Sequence, residues 1–176
     1  LSRDFLDSPL DYSGHYLPGS IAVSRKQMQS NCEANFTWLR DFYGGQVLIE
    51  NNNFFSTGAY DIVTDSMFIQ SMVTNHADGL LFDLAHAAVA AENQGVAFEE
   101  YVAPLLDTTV GQIHLSRWTC DSEGIARDSH ELPGEREFEI LESIFPSSFL
   151  ASVPLTIEFY KQPEVLTNLL RELQDA

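Results

Sequence analysis

Seven side chains in this 176-residue sequence carry donor atoms suited to transition metals: Glu50, Asp83, His86, His114, Asp128, His130 and Glu158. Four carboxylates and three imidazoles exceed the need of one ion, because about four to six donors saturate a single centre. Carboxylates left over can bridge, which is what two or three ions in one site require. Without cations, four carboxylates in one pocket would repel and raise one another's pKa. Cations at the centre remove that cost, so the set reads as a multinuclear metal site. Each member also has a plain structural reading. Asp83 can be a helix N-cap followed by an ordinary polar residue, a lone histidine at a strand end can be simply hydrogen bonded, and Asp128 and His130 can belong to a solvated loop. What favours metal is where these residues fall in the chain.

From residue 46 onward, short β-rich runs alternate with longer helical patterns, the signature of βα units on a parallel sheet. The runs are 46–50, 80–83, 110–115 and 155–159. Helical patterns follow at 60–75, at an Ala-rich stretch and again at 98–105, at 135–144 after a long loop, and at 163–173, where Pro163 takes a favoured first-turn position. One more helix is expected over 20–42, behind a Pro/Gly-containing loop at 12–20. The four runs end at Glu50, at Asp83 with His86, at His114 and at Glu158. A fully buried parallel strand has no reason to end this way. In (β/α)8 barrels, however, the site is built at the carboxyl ends of the strands, where side chains converge on one pocket. The loop after the third run adds Asp128 and His130, two residues apart and able to point the same way in an extended segment. The expected fold class is α/β of the (β/α)8 TIM-barrel type, a barrel that typically needs ~250 residues. Residues 1–176 are expected to form a single domain covering roughly the C-terminal half or more of it, the N-terminal strands lying upstream or coming from another chain.

Composition narrows the function. Nine Lys and Arg against 26 Asp and Glu give a formal charge of −17, which opposes a nucleic-acid surface built on clustered basic residues. No apolar run approaches the ~18 residues of a membrane helix, so no membrane is expected. Two distant cysteines, Cys32 and Cys120, suggest a reducing, cytoplasmic setting rather than a disulfide scaffold. The chain opens at Leu1 with no initiator Met, which makes it a candidate piece of something longer. Asn51 and Asn53, directly after Glu50, are candidate substrate contacts, although Asn-rich turns are common for backbone reasons alone. His15 and His76 read as surface residues, Cys120 as a bystander in a mobile loop, and the charge run 135–142 as a solvated helix face.

Several segments, taken in order, resemble a known family. They are Leu48-Ile49-Glu50-Asn51, Leu81-Phe82-Asp83-Leu84-Ala85-His86 with Asn93-Gln94-Gly95, Ile113-His114-Leu115-Ser116, Asp128-Ser129-His130-Glu131, and Ile157-Glu158-Phe159-Tyr160-Lys161. Together they resemble the multinuclear non-haem iron oxidases typified by the methanobactin-biosynthesis enzyme, with a xylose-isomerase-like barrel. The resemblance runs from about residue 2 to residue 173. It implies a (β/α)8 barrel holding two or three iron ions, which with O2 oxidise cysteine residues of a ribosomally made peptide, often presented by a separate partner protein. Carried over position by position, the implied ligands are the same seven residues. Where the family has a Ser-acid-His-Leu segment this chain has Ser2-Arg3-Asp4-Phe5, so Asp4 is a further candidate ligand. The alternatives are a zinc-dependent hydrolase or isomerase of the endonuclease IV and xylose-isomerase-like superfamily, which uses the same ligand order, and a degenerate metal-binding scaffold.

Overall fold

The computed structural model describes residues 23–175; Asp4, His15 and the 12–20 loop lie outside the described residues. The described chain runs α1 (Arg25–Tyr43), β1 (Leu48–Glu50), α2 (Ser66–His76), β2 (Gly79–Asp83), α3 (Leu84–Gln94), α4 (Phe98–Leu106), β3 (Val110–Leu115), β4 (Arg117–Cys120), β5 (Ala126–Glu131), α5 (Glu135–Ile144), α6 (Ser147–Leu150), β6 (Leu155–Ile157) and α7 (Pro163–Asp175). Among the described residues, one sheet has the order β1-β2-β3-β6, with every neighbouring pair parallel. Parallel neighbours need crossovers, and α2, α3 with α4, and α5 supply them. This α/β arrangement is compatible with part of a TIM-type fold.

Local chemistry explains the boundaries. The helix expected over 60–75 begins only at Ser66, because the Asp65 side chain accepts from the Phe68 backbone N–H at 2.9 Å and caps it there. The helix expected over 20–42 likewise starts late, at Arg25, with Ser24 as its cap. Helix α3 ends at Gly95, whose φ of 69° is the left-handed C-terminal conformation that glycine adopts without a Cβ penalty. The core is built from Leu80, Phe82, Ile113 and Leu115 of the sheet packed on Leu84, Ala87, Val89 and Leu105, all fully buried. Leu48 of β1 lies across Gly79 and Gly111, where an added Cβ would fall 3.2 Å and 2.8 Å from its Cδ2 atom.

Two expectations are corrected. The long loop after the third strand is an antiparallel hairpin, β4–β5, registered from Trp118 opposite Asp128 to Cys120 opposite Ala126. Cys120 is therefore a strand residue, and its thiol donates to Glu92 Oε2 at 3.2 Å. The short turn 121–125, held by Asp121 accepting from the N–H groups of Glu123 and Ile125, makes the hairpin. The 135–142 run is not solvated throughout: Glu137 is buried, accepts from Gly134 N at 2.8 Å and faces Arg117 at 3.6 Å. His76 lies partly exposed at the end of α2, with Glu33 3.5 Å away.

The hairpin is held down by α3. Asn93 accepts from Ala126 N at 2.8 Å, donates to Ala126 O at 2.9 Å and donates to Phe54 O at 2.8 Å. Trp118 Nε1 donates to Glu92 Oε1 at 2.9 Å, beneath the Arg136 guanidinium. Asn93→Ala is expected to raise amide hydrogen exchange across 126–131 while β2 and β3 stay protected, at a cost of ~1–3 kcal/mol from the unpaired backbone groups. Unchanged exchange in the hairpin would show that Asn93 does not hold it.

Candidate metal centre

The parallel register lines the polar residues up. Asp83 of β2 is the in-register partner of His114 of β3, which in turn pairs with Thr156 of β6. Glu158 follows Thr156 by two, just past the end of β6, and its N–H donates to Leu115 O at 3.0 Å, so it remains bound to the sheet. Glu50 closes β1. Side chains two apart share a face, so Glu50, Asp83, His114 and Glu158 meet at the carboxyl end of one face. One donor atom from each lies within 4.8 Å of the others. His114 Nδ1 is 2.9 Å from Glu158 Oε1, 3.3 Å from Glu50 Oε1 and 4.0 Å from Asp83 Oδ2.

Asp128 and His130 come from the hairpin and meet Glu158 from the other side. Glu158 Oε2 is 3.4 Å from His130 Nδ1, which is 3.1 Å from Asp128 Oδ2. These three form a second group within the same 4.8 Å limit, so Glu158 belongs to both. Their proximity does not come from a regular extended strand. His130 has a φ of 45°, and its N–H donates back to Asp128 Oδ1 at 3.1 Å, an Asx-type turn inside the irregular register of β4–β5. The fully buried Ser116 donates to the same Asp128 oxygen at 3.0 Å, leaving Oδ2 to the cluster.

Asp83 does two things at once. Its Oδ1 caps α3 by accepting from His86 N at 2.8 Å, while Oδ2 faces the cluster. The helix-cap reading and the ligand reading are therefore compatible. His86 stands at the back, its Nδ1 2.9 Å from the Asn51 carbonyl and its Nε2 3.4 Å from Asp128 Oδ2. The Asn51 amide is fully buried and engaged on both sides: it accepts from Asp83 N and donates to Asp83 O, both at 2.9 Å. Asn51 thus clasps the ends of β1 and β2. Asn53 is partly buried, its Oδ1 without a hydrogen bond among the described residues.

The electrostatics are first those of burial and then of close opposite charges. Burial is the main cause that raises Asp83 to about 7, offset in part by His86, with Asp128 and Glu50 adding repulsion. Burial opposes the charged form of His86, but Asp128, Asp83, the Asn51 carbonyl and Glu50 outweigh it and raise it to about 9. Asp128 is pushed up by burial yet lies below its ordinary value, because His86, the His130 N–H and the two imidazoles favour its anion.

Asp83 Oδ2, His114 Nδ1, Asp128 Oδ2 and His130 Nδ1 are all buried and make no hydrogen bond among the described residues. Buried polar atoms are ordinarily paired. Four such atoms, all N or O donors aimed at one another, fit a site meant for cations.

Residues 12–176 match the family described as RiPP precursor modification enzyme MbnB/TglH/ChrH. The chain belongs to this family. The family is one of enzymes that modify the precursors of ribosomally made peptides. Curated relatives are UPF0276 proteins: one from Caulobacter vibrioides is 30% identical over 101 residues, covering 56% of this chain and 36% of the relative. Another, from Rhizorhabdus wittichii, is 32% identical over 101 residues, covering 57% of this chain and 35% of the relative. The matched segment is thus little more than a third of each relative's length. No helix among the described residues is long and apolar enough to cross a membrane.

Residue types alone did not reveal two supports of this site, Ser116 and Asn93. Ser116 and Asn93 stand inside the segments that carry the family resemblance, but their roles are visible only as contacts to the hairpin.

Proposed function

We propose that this chain is the metal-bearing part of an iron-dependent, O2-using oxidase that acts on cysteine residues of a ribosomally made peptide. Glu50, Asp83, His86, His114, Asp128, His130 and Glu158 are its ligands, and two or three iron ions its complement. The observation that carries this reading is the shared position of Glu158 between two ligand groups, in a family of peptide-modifying enzymes. Iron bound there would supply one-electron redox chemistry and O2 activation, with hard carboxylate and intermediate imidazole donors suited to it.

The chain's own residues divide the remaining work. Asp83 and Asp128, buried and held by the α3 cap and by Ser116, fix the floor. Glu50 and His130 are the more exposed ligands and border the open side, where a peptide cysteine would enter. Tyr160, exposed and with its ring 5.5 Å from that of His130, forms the rim there, and Asn53 remains a candidate substrate contact. We read residues 1–176 as one domain of a (β/α)8 barrel that is closed by strands beyond the four described, working in the cytoplasm with a peptide-presenting partner protein.

The test is O2 consumption by the reduced, iron-loaded full-length protein given a cysteine-containing precursor peptide and its partner. Peptide-dependent O2 uptake with iron, and none with zinc, is expected. Turnover under strict anaerobiosis, with zinc and without iron, would promote the hydrolase reading, in which a metal-bound hydroxide attacks.

A further inference from the structure

We infer that Gln112 is a positioning residue, which sets the ring nitrogen of His114 that is offered to the metal cluster. This rests on the metal-centre reading above. Gln112 and His114 lie two apart on β3 and share a face, with Thr156 in register beside His114 on β6. The Gln112 amide nitrogen sits 3.2 Å from His114 Nε2 and donates to Thr156 Oγ1 at 3.0 Å, one layer below the ligands.

A neutral imidazole has one N–H and one lone pair. Nδ1 of His114 is the nitrogen facing Glu158, Glu50 and Asp83, and a ligand nitrogen must present its lone pair. The hydrogen must then reside on Nε2, where it needs an acceptor. An amide carries a donor and an acceptor that exchange places by a half-turn. With its oxygen toward the ring, Gln112 accepts from His114 Nε2–H and from the Thr156 hydroxyl together. With its nitrogen there, as in this structure, it donates to Nε2 and favours the hydrogen on Nδ1, so holding a cation at Nδ1 requires the half-turn. His86 is held differently: its Nδ1 faces the main-chain carbonyl of Asn51, which can only accept, so its Nε2 points to Asp128. The two histidines are therefore held by different means, His86 by a fixed carbonyl and His114 by a side-chain amide that can turn and that mutation can alter.

The test compares full-length wild type, Gln112→Leu and Gln112→Glu, titrated with Co2+ alone against a competing chelator, with the Co2+ absorption spectrum recorded in parallel. Glutamate keeps the acceptor and leucine removes it. Q112L is expected to bind one ion ~10–100-fold more weakly, the usual effect of losing an outer hydrogen-bond partner, with an altered spectrum, while Q112E keeps wild-type affinity or exceeds it. Wild-type affinity in a folded Q112L, or equal loss in both variants, would overturn the assignment. Should Q112L not fold, nitrogen-15 NMR of the Zn2+-loaded wild type decides: an Nε2–H tautomer with Nδ1 on the metal supports Gln112, and an Nδ1–H tautomer refutes it. A wild type that binds no Co2+ at all would instead refute the metal centre itself.

Discussion

Replacing Glu158 by Gln is expected to remove bound metal from both ligand groups at once, because its two oxygens face different histidines, Oε1 toward His114 at 2.9 Å and Oε2 toward His130 at 3.4 Å. The loss in affinity should exceed the ~10–100-fold that removal of an outer hydrogen-bond partner costs. Control variants sharpen the expectation. Glu50→Gln touches only the group with Asp83 and His114, and His130→Ala only the group with Asp128, so each should spare the ion of the other group. Elemental analysis after equilibration in metal-buffered solution reads the outcome. Glu158 is a quarter exposed, and a neutral amide of the same shape fits there, so loss of metal without loss of fold is the expected pattern. Wild-type metal content in Glu158→Gln would sink the idea of a shared ligand.

Asp83→Asn is expected to stabilise the metal-free protein while destroying its metal binding. The fold raises Asp83 to about 7 from 3.8, chiefly by burial. A group raised in the folded state contributes stability that is complete below its unfolded pKa and is lost as pH climbs through the folded value. Wild-type metal-free protein should therefore lose stability between about pH 4 and 7 from this residue. His86, raised from 6.5 to about 9, has the same sign and extends the loss from about pH 6.5 to 9. Asp128, lowered, acts oppositely and gives its stability above its unfolded value, lost as pH falls below it. The substituted amide keeps an oxygen for the α3 cap but has no charge to bury. Each pKa unit is worth ~1.4 kcal/mol and each kcal/mol is ~2–4 °C for a chain of this size. Asp83→Asn should thus melt ~5 °C or more above wild type at pH 8 and level with it near pH 4. Metal reverses the order, since binding requires the ionised carboxylate. A variant that melts lower than wild type at pH 8 without metal would refute the buried-charge account.

The buried donors of this site mark where local rules stop agreeing. Local rules elsewhere agree with one another: Asp65 and Ser24 cap helices, Gly95 ends one, and Leu80 and Phe82 fill the core. At the carboxyl ends of the strands they do not. Four donor atoms lie buried with no hydrogen bond among the described residues, a cost that a bound cation would convert into affinity.

What the sequence by itself determined is the set of strand-end residues. Short β-rich runs and a polar residue at the end of each are local facts, and the parallel register then brings Glu50, Asp83 and His114 to one face. Helix starts were less legible, because a capping Asp65 inside a polar stretch competes with the apolar pattern before it. Only the tertiary structure decided the rest. The hairpin is legible poorly because its two strands are short and mostly polar, bury only Trp118 and Ala126 in the core, and are held by Asn93 and Glu92 of a helix far away in sequence. Asp128 and His130 reach the cluster through a left-handed residue and an Asx turn, which no period reveals. Asn51 turned out to be a clasp because its amide matches the backbone of Asp83, 32 residues away. Contacts of that range depend on how strands are placed side by side, and that placement is fixed by packing rather than by any residue's own preference.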